Sequence, residues 1–225
     1  MNFKEKFKQL GETYNTDKVT HHHYDECYAS YLEKFEDKKT SILEIGLEPG
    51  WGKASLRLWL DLFPNMYIYG LDRGTPDEES ERYSIFQCDQ SNISDLKRCK
   101  EKINHPVSII IDDGSHIPEH QLLSFNELFP LLEVGGVYVI EDIETSYWTK
   151  EGLYGYETRY GKGHPKSIVE IFKNAVDGVN VEFSLSTEGE VEHQKQIGSI
   201  TFAQNCIIIT KREYEYRAYR FGSYC

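Results

Sequence analysis

The chain has 225 residues and a formal net charge of −12 at pH 7, because 37 Asp and Glu residues outnumber 25 Lys and Arg residues. This length suits one α/β domain with a sizeable core, so we predict a single domain over residues 1–225. The excess of acids argues against a nucleic-acid partner or an anionic membrane surface, whereas it suits a cationic ligand or metal ion, or solubility alone.

The cysteines show no C-x-x-C spacing, and they stand at Cys27, Cys88, Cys99, Cys206 and Cys225. Their odd count and irregular spacing indicate neither a disulfide framework nor a zinc site. A reducing compartment, the cytoplasm, is therefore the expected location. The N-terminal run M-N-F-K-E-K-F-K-Q-L is too charged for a signal peptide. No apolar run approaches the ~20 residues that cross a bilayer, so we expect no membrane insertion.

Residues 1–40 are polar and rich in tyrosine, and two helices are predicted there. The first ends before Gly11, and the second extends from about Asp25 to Phe35. Between them, T-Y-N-T-D-K-V-T-H-H-H-Y consists of turn and cap residues and predicts an ordered loop. We expect a helical lid or collar over a core at residues 41–211, followed by a tail at 212–225 without an assigned role.

Three consecutive histidines, His21 to His23, lie in this loop. Neighbouring side chains point in different directions on a regular backbone, so a metal ion shared by all three is disfavoured. The favoured interpretation is a loop contact to a ligand, from one of these histidines, from Asp17 or from Lys18.

A strand followed by a glycine loop and an amphipathic helix begins at Ser41, with the sequence S-I-L-E-I-G-L-E-P-G-W-G-K-A-S-L-R-L-W-L-D-L-F-P. This order is typical of the first unit of a nucleotide-binding α/β sheet. The spacing E-x-G-x-x-x-G differs from the dinucleotide pattern G-x-G-x-x-G, which disfavours NAD. Taken alone the loop is a weak signal, because glycines after a strand are often only turns.

Two further strands each end in an acid. The strand Met66–Leu71 leads to Asp72, which lies ~20 residues after the glycine loop, where an acid accepts hydrogen bonds from ribose hydroxyls. The strand Tyr83–Cys88 leads to Asp89 and Gln90, and a carboxylate there is placed to receive an adenine amino group. The alternative is that such an Asp only caps the next helix.

Two short apolar runs, Val107–Ile111 and Val137–Ile140, each end in a pair of acids, Asp112–Asp113 and Glu141–Asp142. Such runs suit strands buried on both faces of a parallel sheet, and the ends of neighbouring strands lie ~5 Å apart. Four carboxylates this close, with His116 nearby, are unfavourable unless a cation lies among them. Oxygen ligands suit a hard ion, magnesium or calcium, although one Asp as a cap and a loop histidine remain the alternative.

The remaining elements are predicted from apolar patterns and turn residues. They are a helix at residues 93–104, a helix at 117–132, a Gly- and Tyr-rich loop at 151–164, a helix at 165–175, a strand at 179–185 and a closing hairpin at 198–203 and 206–211.

Several short motifs occur in a fixed order along the chain: T-D-K with H-x-Y, I-L-E-I-G, S-L-R-x-W, F-P-x-x-x-I-Y-G-L-D, C-D-Q-S, I-I-D-D-G-S-H, L-F-P-x-L-x-x-G-G-x-Y-V-I-E-D and T-S-Y-W. Over residues 40–211 the chain resembles the class I S-adenosylmethionine-dependent methyltransferases. The motifs look like the metal-dependent sugar O-methyltransferases of macrolide biosynthesis, the mycinamicin and macrocin type. Cephalosporin-hydroxylase-like proteins and capsule-locus methyltransferases are similar.

This resemblance implies an α/β, Rossmann-like fold with a mostly parallel seven-stranded sheet, helices on both faces and a C-terminal antiparallel hairpin. It implies S-adenosylmethionine and Mg²⁺ as cofactors and a homo-oligomer. The implied metal ligands are Asp113, Glu141 and Asp142, with His116 as general base and Asp113 as its catalytic partner.

The resemblance also implies cofactor contacts: Asp72 to the ribose, Asp89 to the adenine, and Gly46 and Ser55 to the methionine side. The full set predicted to bind the cofactor is Glu44, Gly46, Ser55, Asp72, Arg73, Asp89, Gln90 and Asp112. Whether Asp112 serves the cofactor or His116 stays open. Pro49 and Trp51 make the glycine loop bulkier than the family pattern, and the long N-terminal extension of the macrolide enzymes is lacking.

The expected reaction is methylation of a sugar hydroxyl on a capsular polysaccharide unit, a nucleotide sugar or a glycosylated natural product. Alternative acceptors are catechol-like or phosphoramidate-type. A hydroxylase-like enzyme is disfavoured because no two-His-one-carboxylate pattern surrounds the acids. A non-catalytic binding protein that retains the fold is the remaining alternative. Tyr147 and Trp148 either pack in the core or stack on a sugar ring.

Overall fold

The computed structural model of the chain describes residues 1–47, 52–148, 159–181 and 191–214. The strands within these residues are β1 Ser41–Ile45, β2 Tyr67–Asp72, β3 Glu78–Glu79, β4 Tyr83–Gln87, β5 Val107–Asp112, β6 Leu132–Ile140, β7 Ile197–Ala203 and β8 Cys206–Lys211. The α-helices are α1 Phe3–Tyr14, α2 Asp17–Thr20, α3 Asp25–Leu32, α4 Ala54–Leu62, α5 Ile93–Lys100, α6 Pro118–Leu128, α7 Ile168–Asn174 and α8 Val176–Val179. Short 3₁₀ turns follow α3 and α6.

The strands form one sheet in the order β3-β4-β2-β1-β5-β6-β8-β7. Strands β4, β2, β1, β5 and β6 run parallel, whereas β3 pairs antiparallel with β4, and β8 pairs antiparallel with β6 and β7. The predicted Rossmann-like sheet with a C-terminal hairpin is confirmed. The predicted count of seven strands was one too low, because β3 consists of two exposed glutamates and has no apolar pattern.

Helices cover both faces of the sheet. On one face, Phe7 of α1 packs against Trp59 of α4 and Tyr28 of α3, with ring centroids 5.7 and 6.0 Å apart. All three rings are buried, and large aromatic side chains contribute strongly to core stability. On the other face, α5, α6 and α7 cover a second apolar cluster. The N-terminal segment therefore shares a core with the sheet, and it reaches the edge at which the parallel strands end.

The N-terminal helices differ from the predicted ones. Helix α1 continues past Gly11 to Tyr14, because Gly11 admits the side chain of Val19; a Cβ at Gly11 would lie 2.2 Å from Val19 Cγ2. The helix ends at Tyr14, and its C-cap residue Asn15 has the left-handed conformation. The segment predicted as a loop contains the short helix α2, which packs against α1 through these same residues.

Other boundaries differ from the predicted ones: the helices predicted at 93–104, 117–132 and 165–175 are shorter, at Ile93–Lys100, Pro118–Leu128 and Ile168–Asn174. Strand β6 begins at Leu132 instead of Val137, and the predicted strand at 179–185 starts inside α8. Residues 180 and 181 form a turn instead of a strand. Outside the described residues lie 182–185 of that strand, 49–51 of the glycine loop, 151–158 of the Gly- and Tyr-rich loop and the tail after residue 214. No described helix combines the length and the apolar character that crossing a membrane requires.

Candidate functional site

The two acid pairs meet at the carboxyl ends of neighbouring strands. Strands β5 and β6 are parallel, with Asp112 opposite Ile140, and the Glu141 N–H donates a 2.9 Å hydrogen bond to the Asp112 carbonyl. The prediction that these strands are adjacent is confirmed. Asp142 then takes a left-handed backbone conformation with φ of 52°, which turns the chain away from the sheet immediately after the acids.

His116 lies between two of these acids. Its Nε2 is 3.2 Å from Asp113 Oδ1 and 3.5 Å from Asp142 Oδ2, and its carbonyl accepts a 2.7 Å hydrogen bond from Thr145 Oγ1. One ligand atom each from His116, Asp113 and Asp142 lies within 4.8 Å of the others. Only 11% of the His116 side chain is exposed, so a proton on Nε2 is held by the two carboxylates instead of by water.

Glu141, the third predicted metal ligand, has other partners. Its Oε2 accepts a 2.8 Å hydrogen bond from the ammonium of Lys18, and its Oε1 accepts a hydrogen bond from Tyr28. The same ammonium lies 2.6 Å from Asp113 Oδ2 and 3.4 Å from Glu44 Oε1. The structure therefore brings all the predicted acids to one edge, but it pairs Glu141 with side chains of α2 and α3. Metal binding by Glu141 stays a prediction.

The electrostatics of the site follow from burial and pairing. Burial alone would raise the pKa of Asp113, but the charges of Lys18 and His116 hold it at about 2. Burial also disfavours the imidazolium of His116, yet the hydrogen bond and charge of Asp113, with the charge of Asp142, raise its pKa to about 9. For Glu44, burial outweighs the attraction of Lys18 and raises the carboxyl pKa to about 7.

Sequence reasoning missed several residues that hold the acids in place. Tyr24 O–H and Asn205 Nδ2 donate hydrogen bonds of 2.7 and 2.8 Å to Asp142 Oδ1, which leaves Oδ2 directed toward His116. Lys18 was considered only as a contact to a ligand, whereas it is fully buried among acids. The motif T-D-K and H-x-Y carried a signal for Lys18 and Tyr24, but nothing in the hairpin turn distinguished Asn205.

The donor set fits a hard divalent cation. Asp113 Oδ1 and Asp142 Oδ2 are carboxylate oxygens, which Mg²⁺ prefers, and both lie near the edge of the sheet. Glu144, whose charge acts on His116, has a buried Oε2 without a hydrogen-bond partner among the described residues. A bound cation stabilises buried carboxylate oxygens that outnumber the protein groups able to donate hydrogen bonds to them.

A cavity of about 470 Å³ lies beside the acids, at the ends of β1, β2, β4 and β5. Five predicted cofactor residues line it, namely Gly46, Asp72, Arg73, Asp89 and Gln90. Helix α5 is capped by Asn92 and not by Asp89, so the alternative role of Asp89 as a helix cap is wrong. The Asp72 carboxylate accepts hydrogen bonds from the backbone N–H groups of Leu47, Gly74 and Thr75, which fixes the two loops around the cavity.

A second cavity of about 250 Å³ adjoins the first at Gly46. Its lining comes from the start of α4, from Asp113 and from the α1–α3 connection: Asn15, Thr16, Asp17, Thr20, His21, His22, Gly46, Leu47, Ala54, Ser55 and Asp113. Of the triple histidine, His22 comes nearest the acids, with Nε2 3.7 Å from Asp142 Oδ1. Ser55 faces this cavity, whereas Glu44 is buried behind it and accepts a 2.8 Å hydrogen bond from Ser55 Oγ.

Asp112 contacts Gln90, which in turn binds the loop that follows β5. Its side chain is fully buried, and its Oδ1 accepts a 2.6 Å hydrogen bond from Gln90 Nε2. Gln90 Oε1 in turn accepts a hydrogen bond from the Ser115 backbone N–H. Among the described residues, Asp112 does not line either cavity, and its contact with the 470 Å³ cavity runs through Gln90, which does line it.

Burial raises the pKa of the Asp112 carboxyl to about 7. Because the folded-state pKa lies above the unfolded value, the folded state binds more protons between about pH 4 and pH 7, and stability falls as pH rises through that window. We expect isosteric Asp112→Asn to flatten this fall and to be more stable than the wild type at pH 8, by up to a few kcal/mol at about 1.4 kcal/mol per pKa unit. Urea unfolding at pH 5 and pH 8 measures the free energy of unfolding of both proteins. An equal loss of stability between the two pH values in both proteins would contradict this expectation.

Gly46 has a φ of +84°, and a Cβ there would lie 2.0 Å from the Asp113 carbonyl oxygen. We therefore expect Gly46→Ala to displace the Asp113 loop and to weaken S-adenosylhomocysteine binding by at least about tenfold, or 1.4 kcal/mol. Gly135→Ala is the matched control, because Gly135 has a similar φ of +83° and open space around it. Calorimetric titration measures both affinities; equal weakening in the two variants would assign the effect to backbone strain alone.

Comparison with known proteins identifies relatives. The chain is 33% identical over 211 residues to the 8-demethyl-8-alpha-L-rhamnosyl tetracenomycin-C 2'-O-methyltransferase of Streptomyces olivaceus, covering 90% of this chain and 54% of that protein. It is 41% identical over 131 residues to the mycinamicin VI 2''-O-methyltransferase of Micromonospora griseorubida, covering 56% of this chain and 32% of that protein. The chain thus spans about half the length, or less, of these curated relatives.

Among solved structures, the methyltransferase MycE of the mycinamycin biosynthetic pathway, in complex with Mg, SAH and mycinamycin VI, matches with a TM-score of 0.79 and 30% identity. The match covers 92% of this chain and 53% of that chain. No family model matches the sequence. With the parallel sheet and the acid edge already described, these matches show that the chain belongs to the class I S-adenosylmethionine-dependent methyltransferases, and the matched relatives themselves are sugar O-methyltransferases.

Proposed function

We propose that this protein transfers the methyl group of S-adenosylmethionine to a hydroxyl of a sugar on a glycosylated natural product, with Mg²⁺ at the acid edge. The observation that carries the proposal is the position of His116, Asp113 and Asp142 beside two cavities that meet at Gly46. The names of the relatives supply the acceptor class, since they specify rhamnosyl tetracenomycin and mycinamicin.

In the proposed complex, one cavity holds the adenosine of the cofactor, and the other receives its methionine side and the acceptor. In the proposed complex, the adenosine of the cofactor occupies the 470 Å³ cavity, where Asp72 borders the ribose region and Asp89 the adenine region. The methionine side passes Gly46 and Ser55 into the 250 Å³ cavity, where Asp113 is part of the lining. The acceptor then approaches from the α1–α3 connection, whose polar side chains Asp17, His21 and His22 face the same space.

Asp113 and Asp142 would hold the ion; Glu141, the third ligand that the family resemblance implies, accepts hydrogen bonds from Lys18 and Tyr28 through its two oxygens. When bound, Mg²⁺ lowers the pKa of a hydroxyl oxygen that it contacts. His116 accepts the hydroxyl proton at Nε2 as the oxygen attacks the sulfonium methyl group. Asp113 Oδ1 and Asp142 Oδ2, at 3.2 and 3.5 Å, then stabilise the imidazolium. Positioned proton transfer of this kind contributes about 10²–10⁴-fold to a rate.

An acceptor panel with radiolabelled S-adenosylmethionine tests the proposal. Rhamnosyl tetracenomycin C, a mycinamicin, a nucleotide-linked rhamnose, a capsular oligosaccharide and a catechol represent the competing acceptor classes. We expect transfer of label to a glycosylated natural product, dependent on added Mg²⁺ and blocked by EDTA. Transfer only to the catechol would contradict a sugar acceptor, and full activity in EDTA would contradict the metal mechanism.

The proposal also includes a cytoplasmic location, supported by the free thiols of Cys27, Cys88, Cys99 and Cys206. We further propose that the protein is a homo-oligomer without a nucleic-acid partner, as the family resemblance and the net charge of −12 indicate. Light scattering coupled to size-exclusion chromatography measures the assembly, and a mass of 26.2 kDa would identify a monomer.

A further inference from the structure

Lys18 is fully buried, and its ammonium is surrounded by carboxylates from three adjacent strands of the sheet. Glu44 lies in β1, Asp113 follows β5, and Glu141 follows β6. The ammonium nitrogen is 2.6 Å from Asp113 Oδ2, 2.8 Å from Glu141 Oε2 and 3.4 Å from Glu44 Oε1. A buried ammonium is stable only when such anionic partners replace its lost hydration.

These contacts divide the carboxylate oxygens into two sets. The oxygens that face Lys18 are one from each of Glu44, Asp113 and Glu141. Of their remaining oxygens, Glu44 Oε2 accepts from Ser55, Glu141 Oε1 accepts from Tyr28, and Asp113 Oδ1 faces His116. Thus only Asp113 contributes one oxygen to Lys18 and the other to the group that contains His116.

We infer that Lys18 is a resident cation of this site: its ammonium occupies one of two cation positions at the acid edge and stays there when a divalent ion enters the other. Lys18 is thus a positioning residue, which fixes Asp113 so that Oδ1 is available beside Asp142. The inference rests on the proposed function only for the identity of the ion at the second position.

The position of Lys18 in the chain gives this arrangement a structural consequence. Lys18 belongs to α2, and its neighbours Asp17, Thr20 and His22 line the 250 Å³ cavity. The ion pairs therefore attach one wall of that cavity to the ends of β1, β5 and β6. Lys18 thus links this wall of the cavity to Asp113 and Glu141, beside Tyr24, which donates a hydrogen bond to Asp142.

Replacement of the ammonium by an uncharged side chain tests the inference. Lys18→Met keeps an unbranched side chain but leaves three carboxylate oxygens facing one another around an empty charge position. We expect Lys18→Met to bind about one more Mn²⁺ per chain than the wild type, measured by electron paramagnetic resonance and equilibrium dialysis. Lys18→Arg keeps the charge and should bind the wild-type number. An unchanged number in Lys18→Met would overturn the inference.

The double variant Lys18→Met with Glu141→Gln is the matched control, because it removes one cation and one anion together. It should lose the additional Mn²⁺ of the single variant, and retention of that ion would place it elsewhere and overturn the inference. Absence of divalent binding to the wild type would contradict the proposed function, whereas a gain of one ion in Lys18→Met would still support the role of Lys18. The two failures are therefore distinguishable.

A measurement on the wild-type protein covers the case in which Lys18→Met does not fold. In protein labelled with ¹⁵N-lysine, the protons of a buried, ion-paired ammonium exchange slowly with water and give an NMR signal. The signal that is missing from the spectrum of Lys18→Arg belongs to Lys18. We expect this signal to persist at saturating Mg²⁺, whereas that of the exposed Lys173 exchanges rapidly with water. Disappearance of the Lys18 signal as Mg²⁺ binds would show that the ion displaces the ammonium, and would overturn the inference.

Discussion

His116→Ala is expected to lower kcat by about 10²–10⁴-fold, the usual contribution of a positioned general base. Its Nε2 lies 3.2 Å from Asp113 Oδ1 and 3.5 Å from Asp142 Oδ2, and His116 is the one histidine of the described residues that forms a possible metal-binding group with these two acids. His116 does not line the 470 Å³ cavity, so the affinity for S-adenosylhomocysteine should stay within about twofold of the wild type. Steady-state kinetics and calorimetric titration separate the two effects.

His120→Ala is the matched control for this substitution. His120 is four residues away, lines the 470 Å³ cavity, and its Nδ1 lies 2.9 Å from Ser115 Oγ. Its loss should raise KM for S-adenosylmethionine more than it lowers kcat. Equal kcat values for His116→Ala and the wild type would reject the general-base role, and a parallel loss of cofactor affinity would show that the variant perturbs the fold.

The pH dependence of turnover provides a second measurement on His116. Asp113 and Asp142 raise its pKa to about 9 when no divalent ion shares their charge, and a base must be unprotonated to accept a proton. Turnover should therefore increase with pH up to an apparent pKa at or below about 9, since a bound cation offsets the carboxylate charges. This limb of the profile should be absent in His116→Ala.

The sequence allowed the sheet edge to be predicted because its signals are local. The apolar runs that end at Asp112 and at Ile140 each fix a buried strand, and parallel strands place their carboxyl ends together. From that geometry the proximity of Asp113, His116 and Asp142 follows without any knowledge of the rest of the chain.

The partners of these acids depend on contacts between distant parts of the chain. Lys18 is 95 residues from Asp113 and 123 residues from Glu141, and it reaches them because α1 packs on α4 and α2 and α3 pack on α1. Tyr24 and Asn205 meet at Asp142 from opposite ends of the chain. Hydrophobic periodicity predicts that such helices are buried against the sheet, but it does not specify which polar side chain enters the acid cluster.

Asp142→Asn is expected to raise the dissociation constant for Mn²⁺ by at least about tenfold, equivalent to 1.4 kcal/mol, and to remove most turnover. The substitution preserves shape: the amide oxygen of the Asn can still accept the hydrogen bonds that Tyr24 and Asn205 donate to Asp142 Oδ1. The amide nitrogen then takes the place of Oδ2 beside His116, and a nitrogen that carries two protons does not ligate a cation. Titration of Mn²⁺ by electron paramagnetic resonance measures the affinity.

Glu141→Gln is the informative comparison, because both oxygens of Glu141 already accept hydrogen bonds, from Lys18 and from Tyr28. If the ion is held by Asp113 and Asp142 without Glu141, Mn²⁺ affinity in Glu141→Gln should stay within about threefold of the wild type. A loss as large as that in Asp142→Asn would instead make Glu141 a ligand, as the family resemblance implies. Unchanged Mn²⁺ binding in Asp142→Asn would contradict a cation at this edge, since Asp142 is the acid after β6 whose Oδ2 lies 3.5 Å from His116 Nε2.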